Sequence, residues 1–353
     1  MLKKINSSEA LVGIIAHEIG HIRNFHHTKR KQSLDNLKQT NQIGNLISIT
    51  SSILLKNPDL LVQTALTNKT GIENYYSTYS KDQEKEADLF AIQRLNKLNI
   101  STDYLIKFLK FLNIESIKKG RTKDSNFFST HPSYEERLNS FKTLSTSNNN
   151  LEEKYNTKLF SIKAKLYGYT ENNFDNIVFS ENDLNYAKAI QLSQEGKLLD
   201  SLRKINNLIK IKNDNPYILE TKADILYNHG YLEEAKIFYT KSLNIDNTNI
   251  YAKKRLFEID YENINNENSI HIENEYHDLI FNYFNDKDFY LKWYKIYAKN
   301  DKKDRMYFIS GILNLINKKK DNAINDLETV NKISNDKNLI NKSKILLKKI
   351  KNG

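Results

Sequence analysis

The second half of this 353-residue chain repeats itself at an interval of 34 residues. Ala189, Gly196 and Ser201 recur as Ala223, Gly230 and Ala235. That period belongs to a two-helix hairpin unit. The small residues let paired helices approach closely, and Gly230 suits the turn between them. Tyr239 and Leu243 extend the apolar face of the second helix. Gly311 and Ala323 keep the 12-residue spacing of Ala223 and Ala235, which predicts a third copy near the C-terminus. Residues 250–300 are aromatic-rich and give no clear phase. No single hairpin can bury its own apolar face, so the units must stack.

The fold class expected is therefore mainly α. Only 10 Gly and 3 Pro occur, which favours long helices with short connections. The organisation expected is a helical domain over 1–150, a connector over 151–180 and a repeat array over 181–353. The run Thr143 to Asn150 reads as a surface loop or linker. The connector reads as one helix around Tyr155–Leu166, then a turn at Gly168. The array has the period of the tetratricopeptide (TPR) unit, although a generic helical-hairpin array would obey the same physics.

With no Cys, disulfides, Cys-ligated zinc and thiol catalysis are excluded. The net charge of +11 divides as 21 basic against 14 acidic residues over 1–150, and 33 against 29 over 151–353. Lys, Asn and Ile are all heavily used, and the charges are interleaved, so residue bias explains the excess and no nucleic-acid partner is expected. Ile43 to Leu66 is the longest greasy stretch, but Lys56-Asn57-Pro58-Asp59 breaks it. It reads as a packed helical hairpin, with peripheral membrane contact the minor alternative. No signal peptide is legible after Met1.

The chemistry concentrates at His17-Glu18-Ile19-Gly20-His21, an HExxH motif. Asn6 and Glu9 form a capping-box pattern that starts a helix. Leu11, Ile14, Ile15, Ile22 and Phe25 supply its expected apolar positions. His17 and His21, four residues apart, leave one face and can grip one zinc ion. Gly13 and Gly20 are read as keeping that face clear for a ligand or substrate. Glu18 is the expected general base.

Zinc requires a third protein ligand and an open position. One candidate is local: His17-Glu18-x-x-His21-x-x-Asn24-x-x-His27 mimics the metzincin pattern, with Asn24 in place of Gly. That pattern also needs a methionine turn beneath the metal, and Met1 and Met306 are ill-placed for it. The other candidate is Ser80-Lys81-Asp82-Gln83-Glu84-Lys85-Glu86-Ala87-Asp88, where Ser80 and Gln83 make a second capping box. Glu84 is the preferred ligand, with Asp88 accepting from a ligating imidazole. Glu86 points about 200° away on a 3.6-residue helix and is the fallback.

These motifs, with Thr130-His131-Pro132 and Arg137 further on, resemble the HtpX/CAAX-prenyl-protease family of gluzincins. The peptidase-like front followed by TPR-like repeats is similar to that family's soluble BepA-type branch. Lys81 stands where the family commonly has Arg. The resemblance implies one Zn2+ held by His17, His21 and Glu84, Glu18 as base, and Asp88 and Arg137 as supporting groups. It implies for His131 either an oxyanion donor or a further zinc ligand. It also implies a bacterial periplasmic address, peptide or protein substrates and a protein client on the repeats. The family carries a strand-bearing segment before HExxH, and only 16 residues precede His17 here, so a front-shortened catalytic domain is expected. The function expected is zinc-dependent endopeptidase in envelope protein quality control. The alternative is a TPR chaperone or binding module whose zinc site is silenced.

Overall fold

The structure, a computed structural model, describes residues 2–24, 82–118, 134–144, 146, 149–171, 173–174, 178–212, 214–265, 267–282 and 286–352. Every regular element among them is a helix, as the repeat and the scarcity of breakers imply. The chain separates into two compact units, 1–167 and 168–353.

The first unit contains α1 (Ser8–Arg23), α2 (82–97), α3 (Asp103–Lys118), α4 (Tyr134–Leu144) and most of α5 (Glu153–Thr170). Helix α1 begins one residue later than the Asn6 capping box implies. Ser7 is the cap, and its Oγ accepts from the Ala10 N–H at 3.1 Å. Glu9 does not reach back to close a box, because its Oε1 accepts from the Leu151 N–H at 2.8 Å. Asn6 instead accepts from Lys163 Nζ at 3.2 Å. Helix α5 thus grips the start of α1. Asn156 Oδ1 accepts from both the N–H and Oγ of Ser8, at 2.8 and 3.0 Å, and Lys163 donates to the Ile5 carbonyl at 2.7 Å.

The buried stripe of α1 is not the expected set of large apolar residues. Ala10, Gly13, Ala16 and Gly20 face inward, whereas Ile15 and Ile22 are 49% and 68% exposed. Small residues win these positions because neighbouring helices come too close for larger ones. A Cβ on Gly20 would lie 3.0 Å from Ala87 Cα on α2, and one on Gly13 would lie 2.8 Å from Leu105 Cδ2 on α3. Both glycines therefore serve helix packing rather than clearance for a ligand. Phe25 lies outside the described residues.

Ala91, Ile92, Leu95, Ile100, Leu105, Leu109 and Phe141 join Ala16 in the core beneath these helices. The loop after α4 is tied down: Asn96 donates to the Leu144 carbonyl at 2.9 Å and accepts from the Thr146 N–H at 3.1 Å. Gly168, expected at a turn, lies inside α5. A Cβ there would meet the Ala187 carbonyl oxygen at 2.7 Å, so glycine is required by close packing and not by a turn.

The second unit is a series of helical hairpins. It runs through α6 (Glu181–Gln194), α7 (Leu198–Ile211), α8 (Pro216–Asn228), α9 (Leu232–Ile245), α10 (Ile250–Glu262) and α11 (Ser269–Tyr276). It continues through a short 3-10 turn (His277–Asn282), then α12 (Lys287–Lys299), α13 (Lys303–Ile316), α14 (Lys320–Ile333) and α15 (Lys337–Asn352). Each helix packs against its neighbours in sequence.

The repeat signal appears as one turn reused. Gly196 and Gly230 have φ of +77° and +83°. The following N–H groups, of Lys197 and Tyr231, donate back to Leu192 and Leu226 five residues earlier, at 2.9 and 3.0 Å. This is the Schellman closure of a helix end. The same closure recurs with Asp301 and Lys318 at φ of 52° and 60°. Lys318 lies seven residues after Gly311 and five before Ala323, the register of Gly230 between Ala223 and Ala235. The third hairpin is α13–α14, with lysine standing where the first two have glycine.

Residues 250–300, which lack a clear sequence phase, build the aromatic centre of this unit. Trp293 is fully buried, stacked on Phe257 at 5.0 Å between ring centroids and edge-on to Phe289. Their apolar burial stabilises the array by roughly 1.5–3 kcal/mol per large side chain.

Candidate metal centre

Helices α1 and α2 bring three expected ligands together. His17 and His21 stand one turn apart on α1, and Glu84 faces them from the first turn of the described part of α2. One donor atom from each falls within 4.8 Å of the others. The two Nε2 atoms are 3.1 Å apart, and Glu84 oxygens lie 3.5 Å from His17 Nε2 and 3.3 Å from His21 Nε2. Gly20 makes this possible, since only a glycine lets α1 lie this close to Ala87.

Asp88, one turn beyond Glu84, takes the other nitrogen of His17. Its Oδ1 is 2.8 Å from His17 Nδ1. Arg137 on α4 fixes that carboxylate with two bonds, Nε to Oδ2 at 2.7 Å and Nη2 to Oδ1 at 2.8 Å. Burial alone would push Asp88 up, but the bonds from His17 and Arg137 hold its carboxyl below the usual range. Burial likewise pulls the His17 imidazole down, yet hydrogen bonds to Asp88 and Glu84 outweigh it and raise the pKa to about 9.

The donor set fits a divalent ion. Two imidazole nitrogens and a carboxylate are borderline-soft ligands of the zinc type, and ligands about 2.0–2.1 Å from a tetrahedral ion lie about 3.3 Å from one another. The distances of 3.1, 3.3 and 3.5 Å are of that size. Nδ1 of His17 is committed to Asp88, which leaves Nε2 as the ligating atom.

The remaining candidates are placed as follows. Glu18 is exposed on α1 beside His17. Glu86 is exposed and outside the three-ligand group, with Asn24 Nδ2 3.4 Å from its Oε2. His131, His27, His26, Ser80 and Lys81 lie outside the described residues. The sequence reading missed the bonds from Asn156, Lys163 and Leu151 that seat the start of α1. A buried polar residue on a helix gives no signal of which distant backbone group it meets.

Residues 1–145 match Peptidase family M48. That span contains His17, Glu18, His21, Glu84, Asp88 and Arg137. The chain is also similar to the metalloprotease YcaL of Escherichia coli (strain K12), with 28% identity over 138 residues. That alignment takes in 39% of this chain and 49% of YcaL. The chain thus spans about half the length of the curated relative it matches. Both similarities are to metallopeptidases.

Proposed function

We propose that the chain is a zinc-dependent endopeptidase acting on protein clients. The observation that carries the reading is the convergence of His17 Nε2, His21 Nε2 and the Glu84 carboxylate, with Asp88 behind His17. A zinc ion bound there would supply Lewis acidity to a peptide carbonyl and make water acidic enough to attack near neutral pH.

The chain's own residues supply the rest. His17 and His21 present Nε2, and Glu84 presents its carboxylate. Asp88 keeps His17 Nδ1 protonated and its ring oriented, and Arg137 fixes Asp88. Glu18 accepts the proton of the attacking water and passes it to the departing amine. Its exposed position on α1 keeps it open to solvent and substrate.

The hairpin array holds the client in this reading, as TPR units do. Tyr217 and Tyr251 stand exposed on the first helices of successive hairpins, and Tyr251 OH donates to buried Asp224 at 2.8 Å. A cell-envelope location, in a periplasmic quality-control role, belongs to the same proposal and rests on the sequence resemblance.

The test is Glu18→Gln in the full chain, assayed on an unfolded protein substrate. Cleavage is expected to fall at least about 100-fold, with zinc content unchanged. Undiminished cleavage contradicts the proposal.

A further inference from the structure

The last part of the hairpin array encloses a cavity of about 90 Å³ between the 3-10 turn, α13 and the start of α15. Ile280, Phe281, Phe308 and Leu339 give it apolar walls, and the rings of Phe281 and Phe308 meet edge-on at 6.0 Å between centroids. Ile280, Phe308 and Leu339 are buried, so the core of the unit fixes these walls. An apolar cavity of roughly 150 Å³ takes a benzene ring. The smaller one here has room for a branched aliphatic group.

Arg305 on α13 lines the same cavity. Its Nη1 donates to Oε1 of buried Glu273 at 3.1 Å, and Oε2 of that carboxylate accepts from Asn300 Nδ2 at 2.7 Å. Its Nη2 is 3.4 Å from Asp336 Oδ2, beyond the usual hydrogen-bond range. Asp336 has another task. Its Oδ1 accepts from the N–H groups of Asn338 and Leu339, at 2.9 and 3.2 Å, and so caps α15. Among the described residues, Arg305 has no other carboxylate partner. One edge of the guanidinium is thus anchored, and the other is loosely held at the cavity. A second cation stands close by. Lys342 lies one turn beyond Asn338, which also lines the cavity, and its Nζ is 5.0 Å from the centre of the Phe281 ring. Among the described residues, no carboxylate lies within ion-pair distance of Lys342. Residues 287–353 hold 17 basic and 7 acidic residues, so the surrounding field favours an anion.

We infer that this cavity captures the free C-terminus of a polypeptide, with the terminal carboxylate on Arg305 and a branched aliphatic side chain against Phe281, Phe308 and Leu339. A planar guanidinium presents paired N–H donors that match the two oxygens of a carboxylate. A carboxylate within one residue of an aliphatic side chain is what a polypeptide end supplies. The inference rests on the reading of the array as the part that holds the client, and it names what the client presents. It uses no residue of the metal centre.

The test is fluorescence anisotropy of the full chain with a short labelled peptide ending in leucine, its C-terminal amide, and the same peptide ending in glycine. The free acid should bind at least about tenfold more tightly than the amide, which lacks the charge-assisted bonds. It should bind about tenfold more tightly than the glycine-ended peptide, which leaves the cavity empty. Arg305→Gln should weaken binding of the acid at least about tenfold. In that variant acid and amide should bind alike, a convergence that an arginine serving only the fold would not produce. Asn338→Trp, made at an exposed position, occludes the cavity with Arg305 in place and should erase the preference for leucine over glycine. It keeps the inference refutable if Arg305→Gln does not fold. Lys344→Gln removes the same charge from the other side of α15 and should leave binding within about twofold. Chelating zinc should leave every affinity unchanged, so failure of the proteolytic reading does not touch this one. Equal binding of acid and amide, an amide penalty that persists in Arg305→Gln, a leucine preference that survives Asn338→Trp, or binding lost with the chelator overturns the inference. So does free isovalerate binding as tightly as the peptide, which would assign the cavity to a small acid.

Discussion

Asp88 Oδ1 lies 2.8 Å from His17 Nδ1, while Arg137 holds the same carboxylate through both of its oxygens. The metal-facing nitrogen of His17 is thus set by a residue 71 positions away in the chain. Replacing Asp88 by Asn keeps the shape and removes the charge. Zinc affinity is expected to fall about 10- to 100-fold, measured by competition with a chromophoric chelator. Unchanged affinity would show that Asp88 does not prepare His17 for the ion.

The pH dependence of the metal-free chain follows from the same pair. His17 has a folded pKa of about 9 against 6.5 for the free imidazole. A raised pKa means that the folded state holds the proton more tightly. The stabilisation is fully present below pH 6.5 and is lost as pH rises through 9. Chelator-treated protein should therefore melt lower at the alkaline end of that window than at the acidic end. His17→Ala should remove that difference. Zinc binding runs the other way, because the ion must displace the proton, and so strengthens as pH rises toward 9.

Gly20 sets the spacing between the helices that carry the ligands. A Cβ would meet backbone atoms of Ala87 at 3.0 and 3.2 Å, and backbone cannot swing aside. Gly20→Val should destabilise the first unit by about 1–3 kcal/mol and lower zinc occupancy. Ile22→Ser, on the exposed side of the same helix, should stay within about 0.5 kcal/mol. Thermal melts with zinc quantification separate the two.

The turns of the second unit can be read through Trp293, the only tryptophan in the chain and fully buried there. Gly230→Ala should cost about 1–2 kcal/mol, because alanine must adopt φ 83°. Lys318→Gly should gain up to about 1 kcal/mol for the converse reason. Both are read from the denaturant midpoint of tryptophan fluorescence.

The helical class and the hairpin array were legible because small residues at fixed spacing survive as turns and close contacts: Gly196 and Gly230 are where the backbone turns left-handed. The third hairpin was legible only through Gly311 and Ala323, since its turn uses Lys318, which no propensity would place there. Among the site residues, Glu84 and Asp88 could be put on one helix face because helical spacing is local. Which neighbour each meets is not local. The inward face of α1 is not legible in the hydrophobic pattern because Ile15 and Ile22 are large and apolar, while the positions that pack are small: hydrophobic periodicity weighs side chains, and close helix approach selects against them. The α5 grip on α1 was invisible for a related reason, since Asn156 and Lys163 look like surface residues until the chain returns to Ser8 and Ile5.

The central claim is that His17, His21 and Glu84 together hold one zinc ion. The direct measurement is the zinc content of the purified full chain by elemental analysis, in the wild type and in single variants. One ion per chain is expected in the wild type and in His27→Ala, and essentially none in Glu84→Ala. Zinc retained in Glu84→Ala but lost in His27→Ala would contradict the account.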